Sequence, residues 1–343
     1  MLIGDFDFEL PEAQIAQTPL LKRDSSRLLV VDRTKGSYSD AGFSDLPEYL
    51  REGDVLVVNN TRVFPARLFG KSETGANIEI FLIEELEDGL WSVLAKPGRR
   101  LSVGKRVDFA DGFSAEVIEK DATGRVSVRF SADGDLYDAL DRYGRTPLPP
   151  YIKRDREAPE TDRERYQTHF AKERGAIAAP TAGLHFTPEL LARIKDLGIE
   201  VCEITLHVGY GTFEPVRVED LSEHRVAGER FEIGKDVATT VNLAKKDGRR
   251  VVAVGTTSTR ALESAAVENG TIVPGKGVAG LTIVPGYGFK IVDAMITNFH
   301  LPRSSLLVLV STFGGHSLIM DAYKHAVANG YRFYSYGDAM IVS

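Results

Sequence analysis

Hydrophobic and polar positions follow two rhythms along this chain, and the change between them divides it. Short β-branched apolar runs at Ser26–Asp32, Asp54–Val58, Ile199–Ile204, Arg250–Val254 and Lys290–Ile296 predict strands of the kind buried in a sheet. Between them, helical spacing occurs at 11–16, 136–140, 190–195, 260–266 and 317–327. The stops are legible: Gly198 closes the 190–195 helix and Asn329-Gly330 closes 317–327, while Thr187-Pro188 makes a cap and first-turn pair. Ser304-Ser305 caps an apolar run, Leu306–Val310, and the aromatic stretch Tyr331 to Ile341 reads as a last strand with a Gly-Asp turn.

From about Phe64 to Phe130 the rhythm is different. Alternating runs at Asn77–Ile83, Leu90–Ala95, Ser114–Glu119 and Arg125–Phe130 are separated by turn clusters such as Glu87-Asp-Gly, Ala110-Asp-Gly and Asp121-Ala-Thr-Gly, with no helix between. That spacing predicts a small all-β module, a barrel, inserted into an α/β chain. The predicted organisation is a first part at 1–63, an inserted barrel at 64–148 and a second part at 149–343. After the barrel, Tyr143 to Ile152 is proline-rich, and its prolines make a stiff extended arm that presents Tyr143, Arg145 and Tyr151 to a partner or packs as a crossover. Asp155 to Glu164 is densely charged and reads as an exposed loop.

Composition narrows the class. The 343 residues are 43% apolar and 27% charged, which are globular values. No apolar run approaches the roughly 20 residues that span a bilayer, and the amino terminus lacks a basic segment followed by an apolar one, so no membrane and a cytoplasmic location are expected. The single cysteine, Cys202, excludes an internal disulfide framework. A net charge of −7 argues against indiscriminate nucleic-acid binding. Yet Lys96, Arg99, Arg100, Lys105 and Arg106 lie together without an acidic residue, and Arg142, Arg145, Lys153 and Arg154 flank the proline-rich arm. Each cluster reads as a solvated face or a local RNA contact.

Candidate chemistry sits where the apolar runs end. Ala178-Ala-Pro-Thr181-Ala-Gly183-Leu-His185 is a small-residue loop that lets a ligand approach the backbone beside an imidazole. Two loops of like character follow, Thr205-Leu-His207-Val-Gly209-Tyr-Gly211-Thr212 and Thr297-Asn298-Phe-His300-Leu-Pro. Asn59-Asn60-Thr61-Arg62, with Arg67 beyond it, suits a polar ligand at a strand's carboxyl end or closes a hydrogen-bonded turn. Gly255-Thr256-Thr257-Ser258-Thr259 reads as a turn into the helix at Arg260, either a cap or an anion site for carboxylate or phosphate. No dinucleotide or phosphate-loop glycine motif, no H-E-x-x-H and no C-x-x-C occurs, and the seven histidines are too scattered to predict a metal site. What remains fits acid–base work on a polar organic ligand.

Taken in order, Asn59-Asn-Thr-Arg-Val-Phe-Pro-Ala-Arg67, Pro147-Leu-Pro-Pro-Tyr-Ile, Arg165-Tyr-Gln-Thr, the three histidine loops, Ala253-Val-Gly-Thr-Thr-Ser and Tyr331-Arg-Phe-Tyr-Ser-Tyr-Gly-Asp338 resemble the S-adenosylmethionine:tRNA ribosyltransferase-isomerase family of queuosine biosynthesis. The resemblance implies a mixed α/β/α main domain interrupted by a small antiparallel β-barrel. It implies transfer and isomerisation of the ribosyl moiety of S-adenosylmethionine onto 7-aminomethyl-7-deazaguanine at the tRNA wobble position. Epoxyqueuosine forms, and adenine and methionine leave. S-adenosylmethionine is then a consumed co-substrate, no cofactor is expected, and the RNA partner is the anticodon stem-loop of tRNAs with GUN anticodons. On this reading His185, His207 and His300 carry the proton transfers, with Asp338 as orienter or second acid. Thr256, Thr257 and Ser258 meet the methionine carboxylate. Asn60, Thr61, Arg62, Arg67, Thr181, Gly183, Gly209, Gly211, Thr212 and Asn298 complete the substrate site. Lys96, Arg99, Arg100, Lys105, Arg106 and Arg145 meet RNA. The alternatives are a non-catalytic tRNA-binding homologue and an RNA-independent S-adenosylmethionine hydrolase. One stretch departs from the family pattern His-x-Met-His-x-Glu: here it is His224-Arg-Val-Ala227-Gly-Glu229.

Overall fold

The computed structural model describes residues 1–98, 101–121, 125–154, 161–213 and 216–343, with the backbone alone at 212 and 213. Arg99 and Arg100, residues 122–124 of the turn expected from Asp121, and residues 155–160 of the charged loop expected to Glu164 fall outside the described residues.

Ahead of the barrel come β1 (Arg27–Asp32), β2 (Ser37–Gly42), β3 (Val55–Asn59) and β4 (Thr61–Val63). The barrel strands are β5 (Arg67–Ser72), β6 (Asn77–Glu87), β7 (Leu90–Lys96), β8 (Arg106–Ala110), β9 (Phe113–Lys120) and β10 (Val126–Ala132). Then follow α1 (Leu136–Tyr143), α2 (Thr161–Arg165), β11 (Glu173–Ala176), α3 (Pro188–Asp196), β12 (Glu200–Leu206), β13 (Glu229–Ile233) and α4 (Lys235–Lys246). The last are β14 (Val251–Val254), α5 (Thr256–Ala265), β15 (Gly275–Ala279), β16 (Ala294–Asn298), α6 (Ser305–Gly314), α7 (His316–Ala328) and β17 (Ala339–Val342).

One nine-stranded sheet, ordered β15-β13-β12-β3-β14-β16-β17-β1-β2, forms the middle layer. Its centre is parallel, from β12 through β3 and β14 to β16. Strand β3 is buried at every position because helices cover both faces. Alternate residues feed two cores: Val55, Val57, Val251 and Ala253 meet α4 to α7, whereas Leu56, Val58, Val252 and Val254 meet Leu190 and Ile194 of α3. This is the α/β/α arrangement with an inserted barrel that the sequence implied. Among the described residues, no single helix is long and apolar enough to cross a membrane.

The barrel closes as β10-β7-β6-β5-β8-β9, with its own core around Leu68, Ile80, Trp91, Val93 and Val128. Two of its strands, β5 and β8, lie beyond the four alternating runs read from sequence. Both are short and polar (Arg67, Lys71, Ser72; Arg106, Asp108), and they pair where Gly70 lets the chains close up: a Cβ there would meet the Asp108 carbonyl at 2.6 Å. Leu140 of α1 packs into this core, and Arg145 pairs by backbone with Arg67, so the proline-rich arm leaves from the barrel's rim.

Three elements correct the sequence reading, the first being that the charged stretch expected as an exposed loop to Glu164 ends in α2, where Asp162 is buried against Arg154. Residues 331–338 form no strand; only β17 from Ala339 onward does. The Asp338 carboxylate accepts from the backbone N–H of Arg332 and of Arg27, at 2.8 and 2.9 Å, and folds the aromatic run into a tight turn with Tyr334 at φ 74°. Helix α5 begins at Thr256 rather than Arg260, because Gly255 at φ 92° turns the chain straight from β14 into the helix.

Candidate active site at the carboxyl ends of the parallel strands

Strands β14 and β16 pair in parallel, Val254 opposite Ile296, and the Gly255 N–H donates to the Ile296 carbonyl at 2.7 Å. Their carboxyl ends therefore open side by side into a cleft. Its floor is Gly255, Thr256, Thr257, Thr297 and Asn298, its sides are Thr181 and His300, and three tyrosines, Tyr151, Tyr166 and Tyr334, close it. Among the described residues no carboxylate, lysine or arginine lines it. Open α/β sheets bind ligands at this edge.

The α5 terminus supplies the donors. Gly255 gives no side-chain cap, so the first N–H groups of the helix lack an intrahelical partner. Of the hydroxyls expected here, Ser258 turns back on the Val254 carbonyl and Thr259 on the Gly255 carbonyl, at 2.8 and 3.1 Å. Thr256 and Thr257 remain in the cleft; Ser258 does not reach it.

The three histidines do not converge. His300 lines the cleft with Nε2 2.9 Å from the Thr297 hydroxyl, and burial pushes its pKa down to about 3. His185 stands behind the cleft. Its Nδ1 is 2.7 Å from the Ser26 hydroxyl, its Nε2 is 3.1 Å from Asn298 Nδ2, and its ring stacks on Phe43. Burial and then the Arg23 charge push its pKa to about 3 as well. An amide nitrogen only donates, so Nε2 accepts and the proton sits on Nδ1. With both nitrogens engaged, His185 orients Asn298 rather than meeting substrate.

His207 points the other way, 2.9 Å from the Thr61 hydroxyl, its pKa lowered by burial and then by Arg230. Its ring fills the space above Gly175, where a Cβ would come within 2.6 Å. Gly175→Ala is expected to cost about 1–3 kcal/mol by overpacking and to shift the His207 ring resonances in a side-chain NMR spectrum. An unmoved ring and unchanged stability would contradict this packing.

The Asn59–Arg62 run is spent on architecture. Asn59 grips the Leu206 carbonyl and accepts from Leu206 and Thr61 N–H, and Asn60 Oδ1 accepts from the Thr205 hydroxyl at 2.7 Å. Arg62 opens on a separate notch with Asp141, Arg163 and Arg174. Gly183 is buried against Thr168 and Phe170, Gly209 donates its N–H to Glu229 at 2.9 Å, and Gly211 abuts Ala227. The side chain of Thr212 lies outside the described set. Asp338 is consumed by the two backbone amides named above and does not line the cleft.

The sequence reading gave no substrate role to Tyr166, Tyr334 or Ser335. Tyr151 Oη lies 2.5 Å from Ser335 Oγ, and burial raises the pKa of Tyr151 well above its usual value and that of Tyr334 to about 12. Only the family-like runs Arg165-Tyr-Gln-Thr and Tyr331 to Asp338 marked these residues in the sequence.

A second, larger concavity runs between the barrel and the proline-rich arm. Arg67, Lys71, Lys96, Arg106, Arg145, Lys153 and Arg154 face it, and Lys105 does not. Several of these are neutralised: Arg67 by Glu79, Arg106 by Asp108, Lys153 by Glu12 and Arg154 by Asp162. Lys105 pairs with Glu73. Among the described residues Lys71, Lys96 and Arg145 carry no ion pair, and Arg145 lies over the Phe69 ring at 5.0 Å.

Comparison with known proteins agrees along the whole chain. A sequence model of the family described as queuosine biosynthesis protein matches residues 3–342. The S-adenosylmethionine:tRNA ribosyltransferase-isomerases of Desulfitobacterium hafniense and Carboxydothermus hydrogenoformans are 52% and 51% identical, each covering 100% of both chains. A crystal structure of an S-adenosylmethionine tRNA ribosyltransferase from Thermotoga maritima is 35% identical, with a TM-score of 0.56 over 99% of this chain and 100% of that one.

Proposed function

This chain belongs to the queuosine biosynthesis protein family, and we propose that it is an S-adenosylmethionine:tRNA ribosyltransferase-isomerase. Its acceptor on this reading is 7-aminomethyl-7-deazaguanine at the wobble position of tRNAs with GUN anticodons, and its products are epoxyqueuosine, adenine and methionine. The observation that carries the proposal is identity near 50% over the full length with relatives of that name. The cleft supports it. A sulfonium ion needs no carboxylate where aromatic rings surround it, and Tyr151, Tyr166 and Tyr334 line the cleft. Helix α5 offers its N-terminus to a carboxylate.

Among the described residues, His300 and the three tyrosines are the titratable side chains that line the cleft. With its pKa near 3, His300 stays neutral at working pH and offers a lone pair or an N–H, not a stored positive charge. S-adenosylmethionine is consumed as a co-substrate, and on this reading the enzyme works in the cytoplasm, where its tRNA is. The test is one incubation of S-adenosylmethionine with tRNA bearing the aminomethyl base, following adenine and the nucleoside mass together, with an RNA-free control. Adenine with a heavier wobble nucleoside is expected. Adenine without RNA would mean a hydrolase, and tRNA binding without adenine a binding protein.

The barrel–arm groove is the proposed seat of the anticodon stem-loop. Lys96→Ala and Arg145→Ala should each weaken tRNA binding and lower the slope of log affinity against log salt by about 1. An unchanged slope in both variants would remove the groove from the interface.

A further inference from the structure

The orientation of one carboxamide in the cleft bears on how the co-substrate is held. Asn298 is 2% exposed, and its Nδ2 donates both to His185 Nε2 and to the Tyr334 carbonyl, at 3.1 and 3.0 Å. Reversing the amide would set Oδ1 against that carbonyl, acceptor against acceptor, so the orientation is fixed. The nitrogen edge is thereby turned onto His185. The oxygen edge is left, and Asn298 Oδ1 is buried with no hydrogen-bond partner. A buried acceptor left unpaired costs free energy, and an active site is where such an atom awaits a donor.

The uncapped N-terminus of α5 lies on the adjacent strand end, one strand spacing away across the Gly255–Ile296 hydrogen bond. An unpaired acceptor and a set of unpaired donors thus stand side by side in a cleft that, among the described residues, no charged side chain lines. We propose that they form a seat for a zwitterionic α-amino acid group: Asn298 Oδ1 accepts from its ammonium, and the first N–H groups of α5, with the Thr256 and Thr257 hydroxyls, take its carboxylate. This rests on the proposed function, in which the group is the methionine end of S-adenosylmethionine. The ammonium and carboxylate branch from a single carbon, which matches a seat split between neighbouring strand ends. His185 and Ser26 act here as positioning residues, holding the carboxamide so that its oxygen faces the ligand.

The measurement is calorimetric binding of S-adenosylmethionine, of its decarboxylated form and of methylthioadenosine, which lacks the amino acid end, to the whole protein and to Asn298→Leu. The unaltered protein should bind S-adenosylmethionine at least tenfold tighter than decarboxylated S-adenosylmethionine, which retains the sulfonium but lacks the carboxylate. Asn298→Leu should lose at least tenfold toward S-adenosylmethionine and little toward methylthioadenosine. Equal losses toward both ligands, or none, would overturn the seat. So would an unaltered protein that does not distinguish S-adenosylmethionine from its decarboxylated form, a result that holds even if Asn298→Leu does not fold. An unaltered protein that binds none of the three would sink the proposed function itself, and the seat with it.

Discussion

Arg260→Met is expected to destabilise the protein by about 3–5 kcal/mol, read as a fall in the urea midpoint of unfolding. Arg260 and Glu229 are both nearly buried, 8% and 3% exposed at the side chain, and meet at 2.5 Å. The guanidinium also binds the Ala227 carbonyl at 3.1 Å and the Ala279 carbonyl at 2.6 Å, tying α5 to β13 and β15. The other carboxylate oxygen of Glu229 takes the Gly209 N–H. Removing the arginine strips a buried carboxylate of its counter-charge and two carbonyls of their donor at once. Lysine should rescue poorly, since a point charge cannot serve a carboxylate and two carbonyls in one plane. Replacing both partners by methionine should recover much of the loss, because the stranded charge goes with the pair. A single variant within about 1 kcal/mol of the parent, or a double variant no better than the singles, would contradict this account. The pair also anchors the loop that carries Val208 into the cleft, so the same variant should weaken substrate binding.

Much of this was legible in the sequence, and the exceptions share a cause. The Gly255–Thr257 and Thr297–His300 stretches announced themselves because each follows an apolar run that a sheet must bury, and ligands bind at such strand ends, whereas Ala178–His185 stood out by its small residues beside an imidazole. What the sequence did not carry was direction. Ser258 and Asn298 look equally available in a string of letters, yet one hydroxyl bends back on Val254 while one carboxamide oxygen stays free. The direction of Asn298 is set by His185, 113 residues away, and that of Asp338 by Arg27, 311 residues away. The strands β5 and β8 escaped notice for a related reason: they are defined by what they pair with, not by their own apolar content.

Stability should fall steeply as pH drops from 6 to 4, and His185 and His300 are the main reason. Each has an ordinary pKa of 6.5 when unfolded and is pushed to about 3 by burial when folded. Above 6.5 neither state binds the proton and the histidines contribute nothing to the pH dependence. Below 6.5 the unfolded chain takes up a proton at each site that the folded protein refuses until about pH 3. Unfolding is therefore favoured by roughly tenfold per pH unit for each histidine, and about a hundredfold for the two together. His169, His207 and His224 are lowered in the same direction by partial burial and add to the slope just below 6.5. Asp338 works against it: burial raises its pKa, so in the acid range the folded protein holds a proton there that the unfolded chain has released. Carboxylates held low by partners, such as Asp40 against the Tyr331 hydroxyl, titrate below this window. Urea midpoints measured every half unit from pH 6 to 4 give the slope directly. His300→Gln should reduce it by about tenfold per unit whatever it does to the midpoint at neutral pH, because a glutamine takes up no proton in either state. A flat profile, or a slope indifferent to that substitution, would mean that His300 can be protonated without opening the fold. It could then store a proton for catalysis, the role that its burial now argues against.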